Sequence, residues 1–173
     1  MTAVRVILAA VVALVAQGLL ARLLGPLSMR VDLGLVAVVW IALRFGRVPG
    51  LLGGTLIGLG QDALAGGILG MTGLASSVVG FATGFAGTQF IVAQMAPRFL
   101  VFLGATALHA IVYFGLSLLL GLRIPEQVFL DVTLRALANA VIGVLVFKLF
   151  EISPGARERW RARRERRQKR RFH

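Results

Sequence analysis

The chain has 173 residues, 58% hydrophobic and only 15% charged, with a mean hydropathy of +0.87. That leaves too little polar surface for a soluble domain of this size and reads as an integral membrane protein. With no cysteine and two histidines, disulfides, thiolate metal centres and thiol catalysis are excluded, and little is left for any metal site.

A bilayer core takes roughly 20 apolar residues per helix. Six spans are predicted, at about 4–24, 31–43, 48–65, 68–90, 99–122 and 128–150. They are separated by the breakers GPLSMR (25–30), RFGRVPG (44–50), GG (66–67), APR (96–98) and GLRIPEQ (121–127). The second and third are short, so five spans plus a re-entrant piece is the other reading. The first carries only Arg5 ahead of a long apolar run, with no convincing small-x-small cleavage site after it, so it reads as a span rather than a removable signal peptide. The expected architecture is all-α, a polytopic six-helix bundle over 1–152 followed by a basic tail at 153–173.

The net charge of +12 imitates a nucleic-acid binder until it is mapped, because ten basic and two acidic side chains fall in 154–173. A basic run directly after an apolar helix is a topology determinant held in the cytoplasm near anionic lipid. Arg157, Arg161, Arg164, Arg167 and Arg171 are the candidate membrane-surface residues, with an acidic cytoplasmic partner as the alternative and no nucleic acid expected. Six spans then place both termini in the cytoplasm, with Arg5, Arg44, Arg47 and Arg98 inside and Arg22, Arg30 and Arg123 outside.

The third span carries Gly50, Gly54, Gly58 and Asp62 at intervals of four, along one gently drifting helix face. Such a small-residue ridge lets another helix approach closely in lipid, so Asp62 points along a packed seam, internal or toward a partner. A carboxylate at that depth needs a partner. The sixth span offers Asp131, Arg135 and Asn139, also at intervals of four. A buried pair between Asp62 and Arg135 is one expectation; pairing of Arg135 with Asp131 one turn away, or its snorkelling outward, is the other. Gln17, Arg22, Asp32 and Gln61 gather toward the same end and predict a polar pocket opening outward. His109 and Tyr113 stand one turn apart in the fifth span, nearer mid-membrane, and His109 reads as an interhelical hydrogen-bonder, with a proton relay or ligand as the alternative.

Catalytic signatures do not emerge. The chain has no Walker-type loop, no H-E-x-x-H and no nucleophile elbow. Ser76 and Ser77 read as packing residues, so no enzyme, cofactor or metal is expected.

Residues 31–70, VDLGLVAVVWIALRFGRVPGLLGGTLIGLGQDALAGGILG, resemble the signature region of the rod shape-determining protein MreD family. An Asp-Leu pair opens an apolar helix, then come an Arg-containing turn, a Gly-rich helix ending in Asp, a Gly, and a Leu-Gly. Asp32, Asp62, Gly66 and Gly70 fall on the matching positions, so Asp32, Gly66 and Gly70 are expected to join Gly50, Gly54, Gly58 and Asp62 in the partner or structural seam. Val31 and Ile68 depart from it, standing where that family often has Pro. The length, six spans and basic tail also fit. The resemblance implies a non-enzymatic scaffold in the bacterial cytoplasmic (inner) membrane. It implies association with the bitopic protein MreC, with the actin-like MreB, and with the peptidoglycan synthase pair RodA and penicillin-binding protein 2. It also implies a fold similar to the substrate-binding S components of energy-coupling-factor transporters. The rival function is therefore a vitamin-binding transporter subunit, whose cavity would be lined by several aromatics.

Overall fold

The computed structural model describes residues 2–25, 31–89, 95–123 and 128–152; the basic tail and its five arginines lie outside them. The described residues are all-α, in six helices: α1 (Thr2–Leu24), α2 (Leu33–Phe45), α3 (Arg47–Ala65), α4 (Met71–Gln89), α5 (Met95–Leu119) and α6 (Val128–Ile152). Three of them hold stretches long and apolar enough to cross a membrane: Ala3–Leu23, Pro97–Leu119 and Val128–Leu149. At 1.5 Å per residue the 13 residues of α2 span about 20 Å, short of a bilayer core.

Burial explains the short helix. Packed against all five others, α2 is the centre of the bundle, and Gly34, Leu35, Val36, Val38, Val39, Ile41 and Ala42 are buried around most of its circumference. Two apolar cores meet on it. Leu35, Val36 and Val39 join Val79 of α4, Phe102 and Ala105 of α5 and Ala140 of α6. Val38 and Ile41 join Val6 and Ala10 of α1 and Ile57 of α3. A helix surrounded by other helices has no need to match the lipid thickness.

The turns on either side of α3 are made by glycines with positive φ. Gly46, at φ +101°, ends α2 by donating to the Ala42 carbonyl at 2.9 Å and starts α3 by accepting from the Gly50 N–H at 3.0 Å. Pro49 stands in the first turn of α3, where its missing N–H costs nothing.

The predicted glycine face of α3 is an internal seam, and its mate is α4. A Cβ on Gly50 would lie 2.5 Å from the Gly80 carbonyl oxygen, one on Gly54 would overlap the Ser76 carbonyl, and one on Gly58 would lie 2.5 Å from the Thr72 carbonyl oxygen. The fit is reciprocal: Cβ atoms on Gly80 and Gly84 would meet the backbone at Gly50 and Arg47. Backbone thus lies on backbone, which maximises dispersion contact. It also explains why α3 and α4, each 19 residues, are not apolar enough to be read as spans: glycine and hydroxyl side chains replace aliphatic ones along the seam.

Gly66 and Gly70 do not belong to that seam. Gly66 is the left-handed C-cap of α3 at φ +66°, and Gly70 turns the chain into α4 at φ +99°. Arg98, expected in a cytoplasmic loop, is buried near the start of α5, its guanidinium 5.0 Å from the Phe147 ring centroid.

Candidate functional site

At the end of the bundle where α2 begins, every helix contributes to one cavity of about 390 Å³. Gln17 comes from α1, Asp32 from the N-cap of α2, Gln61 from α3 and Thr72 from α4. His109 and Tyr113 come from α5, and Asp131 and Arg135 from α6.

The frame around it is a chain of side-chain caps. Asp32 Oδ1 accepts from the Leu35 N–H at 2.9 Å and from Gln61 Nε2 at 2.8 Å, the N-cap geometry that short polar residues favour. Gln17 fixes the approach to α2, its Oε1 accepting from the Leu33 N–H at 2.8 Å and its Nε2 donating to the Val31 carbonyl at 3.2 Å. Asn139, fully buried in α6, accepts from the Asp32 N–H at 2.9 Å and donates to Thr106 Oγ1 at 3.3 Å. Asn139 therefore ties the start of α2 to α5 and α6. Asn139→Leu is expected to lower stability by about 1–3 kcal/mol, because it strands the buried Asp32 N–H. Thermal denaturation of the detergent-solubilised protein measures this, and a midpoint equal to wild type would refute the tie.

The expected Asp62–Arg135 pair does not form. Asp62 is only 5% exposed, and its carboxylate is spent on the N-terminus of α4. Its Oδ2 accepts from the backbone N–H groups of Gly70 at 2.8 Å, Thr72 at 3.1 Å and Gly73 at 3.3 Å, and Thr72 also reaches Oδ1 at 3.2 Å. These are the orphan donors of a helix start, where the dipole favours an anion. The seam carries Asp62 to that point, and amides eight to eleven residues away outcompete a side chain from a distant helix. Arg135, half-buried on α6, makes neither hydrogen bond nor ion pair among the described residues, and its neighbour Asp131 does not pair with it either.

Of the predicted polar residues, Gln17, Asp32 and Gln61 come together in the cavity. His109, Tyr113, Asp131 and Arg135 join them, and Arg22 does not. His109 is 7% exposed, its ring stacked 6.2 Å from that of Tyr113 at 12°, and its Nε2 has no hydrogen-bond partner; Gln61 Oε1 is buried and equally unpartnered. Thr72 and Thr106 were not singled out from the sequence. Thr106 was legible, since 106, 109, 113 and 117 are a polar stripe at helical spacing along α5. Thr72 was not, because nothing local marks a residue at a helix start as facing a cavity.

Arg22 instead borders a second hollow of about 590 Å³ between α1 and α3, otherwise lined by Leu14, Val15, Gly18, Leu19, Gly60, Ala63 and Leu64. A Cβ on Gly18 would meet nothing within 4 Å. Compared with family models, curated proteins and solved structures, the chain matches none, so both sites are read from its own residues.

Proposed function

We propose that this chain is a non-enzymatic integral membrane scaffold of the bacterial cell-elongation machinery, a six-span, S-component-like bundle of the MreD kind with both termini cytoplasmic. The residues carrying that resemblance are committed to assembly: Asp32 caps α2, Asp62 caps α4, and Gly66 and Gly70 shape the turn between α3 and α4. The observation that carries the reading is the apolar hollow between α1 and α3, with Gly18 facing open space. The glycine seam of Gly50, Gly54 and Gly58 is already closed by α4, so it is not available to a partner. The α1–α3 hollow remains as the place where a transmembrane helix of an MreC-like bitopic protein lies close to the backbone. MreB, RodA and penicillin-binding protein 2 would associate through that assembly, and the basic tail adds attraction to anionic lipid of about 1 kcal/mol per surface Lys or Arg.

Detergent co-purification of the full chain with its MreC-type partner tests this. Wild type retains the partner, and Gly18→Leu, whose Cβ would meet nothing within 4 Å and whose side chain extends into the hollow, lowers recovery about tenfold, the loss of a little over 1 kcal/mol of packing. Failure of wild type to retain the partner would overturn the scaffold reading, while full retention by Gly18→Leu would overturn the assigned face.

The second reading, a substrate-binding subunit of a small-molecule transporter, is favoured by the six-helix cavity, whose size falls in the usual range for ligand pockets and which includes Tyr113 and Phe114. A vitamin retained by the isolated protein would select it.

A further inference from the structure

The cavity carries more unsatisfied chemistry than packing requires. His109 Nε2 and Gln61 Oε1 are buried and unpartnered, and both residues line a space of about 390 Å³. Native folds rarely leave buried polar atoms unpaired, and two such atoms on residues that line one cavity are open to a partner from outside the chain. On α6, Asp131 and Arg135 stand one turn apart and both line the same space, yet they do not pair among the described residues. Residues at this spacing are near enough to pair.

The sign of the charges decides the class of ligand. A simple anion drawn to Arg135 meets the carboxylates of Asp32 and Asp131 in the same space. A simple cation drawn to Asp131 meets Arg135. A zwitterion satisfies both residues at once. Its anionic oxygens accept from the Arg135 guanidinium, a planar five-donor group suited to phosphate or carboxylate. Its ammonium donates to Asp131, and His109 Nε2 or Gln61 Oε1 takes a remaining polar atom.

Access points to the source. α1 packs on α2 and α3, and α6 on α5 and α2; α1 and α6 do not pack on each other among the described residues, although both border the cavity. The rest of the lining includes the apolar Ala110, Phe114, Val128 and Val132. A headgroup can therefore sit among the polar residues while its chains leave along an apolar, unsealed flank.

We propose that this cavity binds a zwitterion, an ammonium and an anionic oxygen group joined by a short linker, supplied as the phosphoethanolamine headgroup of a membrane lipid. The proposal goes beyond the scaffold reading and does not rest on it.

Native mass spectrometry of the full chain in detergent tests it, with titrated phosphatidylethanolamine, phosphatidylglycerol of the same acyl chains, and free phosphoethanolamine. Phosphatidylethanolamine is expected to bind about tenfold more tightly than phosphatidylglycerol, the worth of one charge-assisted hydrogen bond. Asp131→Asn abolishes that preference, and Arg135→Gln weakens both lipids. Asp131 is exposed, so Asp131→Asn decides the matter should Arg135→Gln fail to elute as a monodisperse species. Binding of free phosphoethanolamine, lost in Asp131→Asn and without preference among lipids, would uphold the zwitterion and assign it a soluble source. Equal affinity for both lipids with no binding of free phosphoethanolamine, or a preference unmoved by Asp131→Asn, would overturn the proposal. Gly18→Leu lies outside the cavity lining, so loss of the partner and loss of the lipid are separable results.

Discussion

Asp62→Ala is expected to lower the stability of the bundle by about 3–5 kcal/mol, since three backbone N–H groups at the start of α4 lose a charged acceptor and each stranded donor costs about 1–3 kcal/mol when buried. Not all three lose everything, because Gly70 is only half-buried and water can reach it. For a chain of this length the loss corresponds to a drop of about 10 °C in the unfolding midpoint, read by fluorescence-detected size exclusion after heating. Asp62→Asn keeps an acceptor oxygen but gives up the charge and is expected to lose less than half as much. Arg135→Gln separates the cap from an ion pair. If Asp62 depended on the guanidinium, Arg135→Gln would reproduce the loss; with the amides as its partners, the midpoint stays near wild type. A midpoint for Asp62→Ala close to wild type would show that the cap does not hold α4 in place.

Gly54→Val is the other large effect. The new Cβ would overlap the carbonyl of Ser76, and because that obstacle is backbone, no rotamer change relieves it. α3 and α4 must part, and parting them also opens the contacts of Gly50 with Gly80 and of Gly58 with Gly73. The cost is about 3 kcal/mol or more, the upper end of overpacking penalties, and the same thermal assay reads it. Gly104→Ala is the control: its Cβ would meet nothing within 4 Å, and alanine is the better helix former by roughly 1 kcal/mol, so no loss is expected. Equal behaviour of the two substitutions would mean that the α3–α4 seam tolerates separation.

These two sites mark how far the sequence alone reaches. The interval of four from Gly50 to Asp62 announced a close-packed face ending in a carboxylate, and the structure places all four residues inside. The interval did not announce which helix closes the face. α4 carries its own glycines at 73, 80, 84 and 87, but only 80 and 84 share the interval of four, and the matching positions read as ordinary small residues in a Gly-rich chain. Asp62 illustrates the same limit. Its burial was legible and its partner was not, because a helix start presents backbone amides that no side-chain pattern displays.

The cavity was legible in part. The gathering of Gln17, Asp32 and Gln61 in one polar pocket follows from their depth in the predicted spans, whereas the arrival of His109, Asp131 and Arg135 in the same space does not, because polar residues on separate helices at similar depth need not face one another. The order of the apolar runs and the breakers between them fix six helices, and the interval of four fixes the packed face of α3, since these depend on neighbours within a few turns. The burial of α2 at the centre, the capture of Asp62 by α4 and the convergence of six helices on one polar space depend on contacts between residues far apart in the chain. Only the packed bundle decides those, because a polar group takes whichever partner the assembled helices bring within hydrogen-bonding distance.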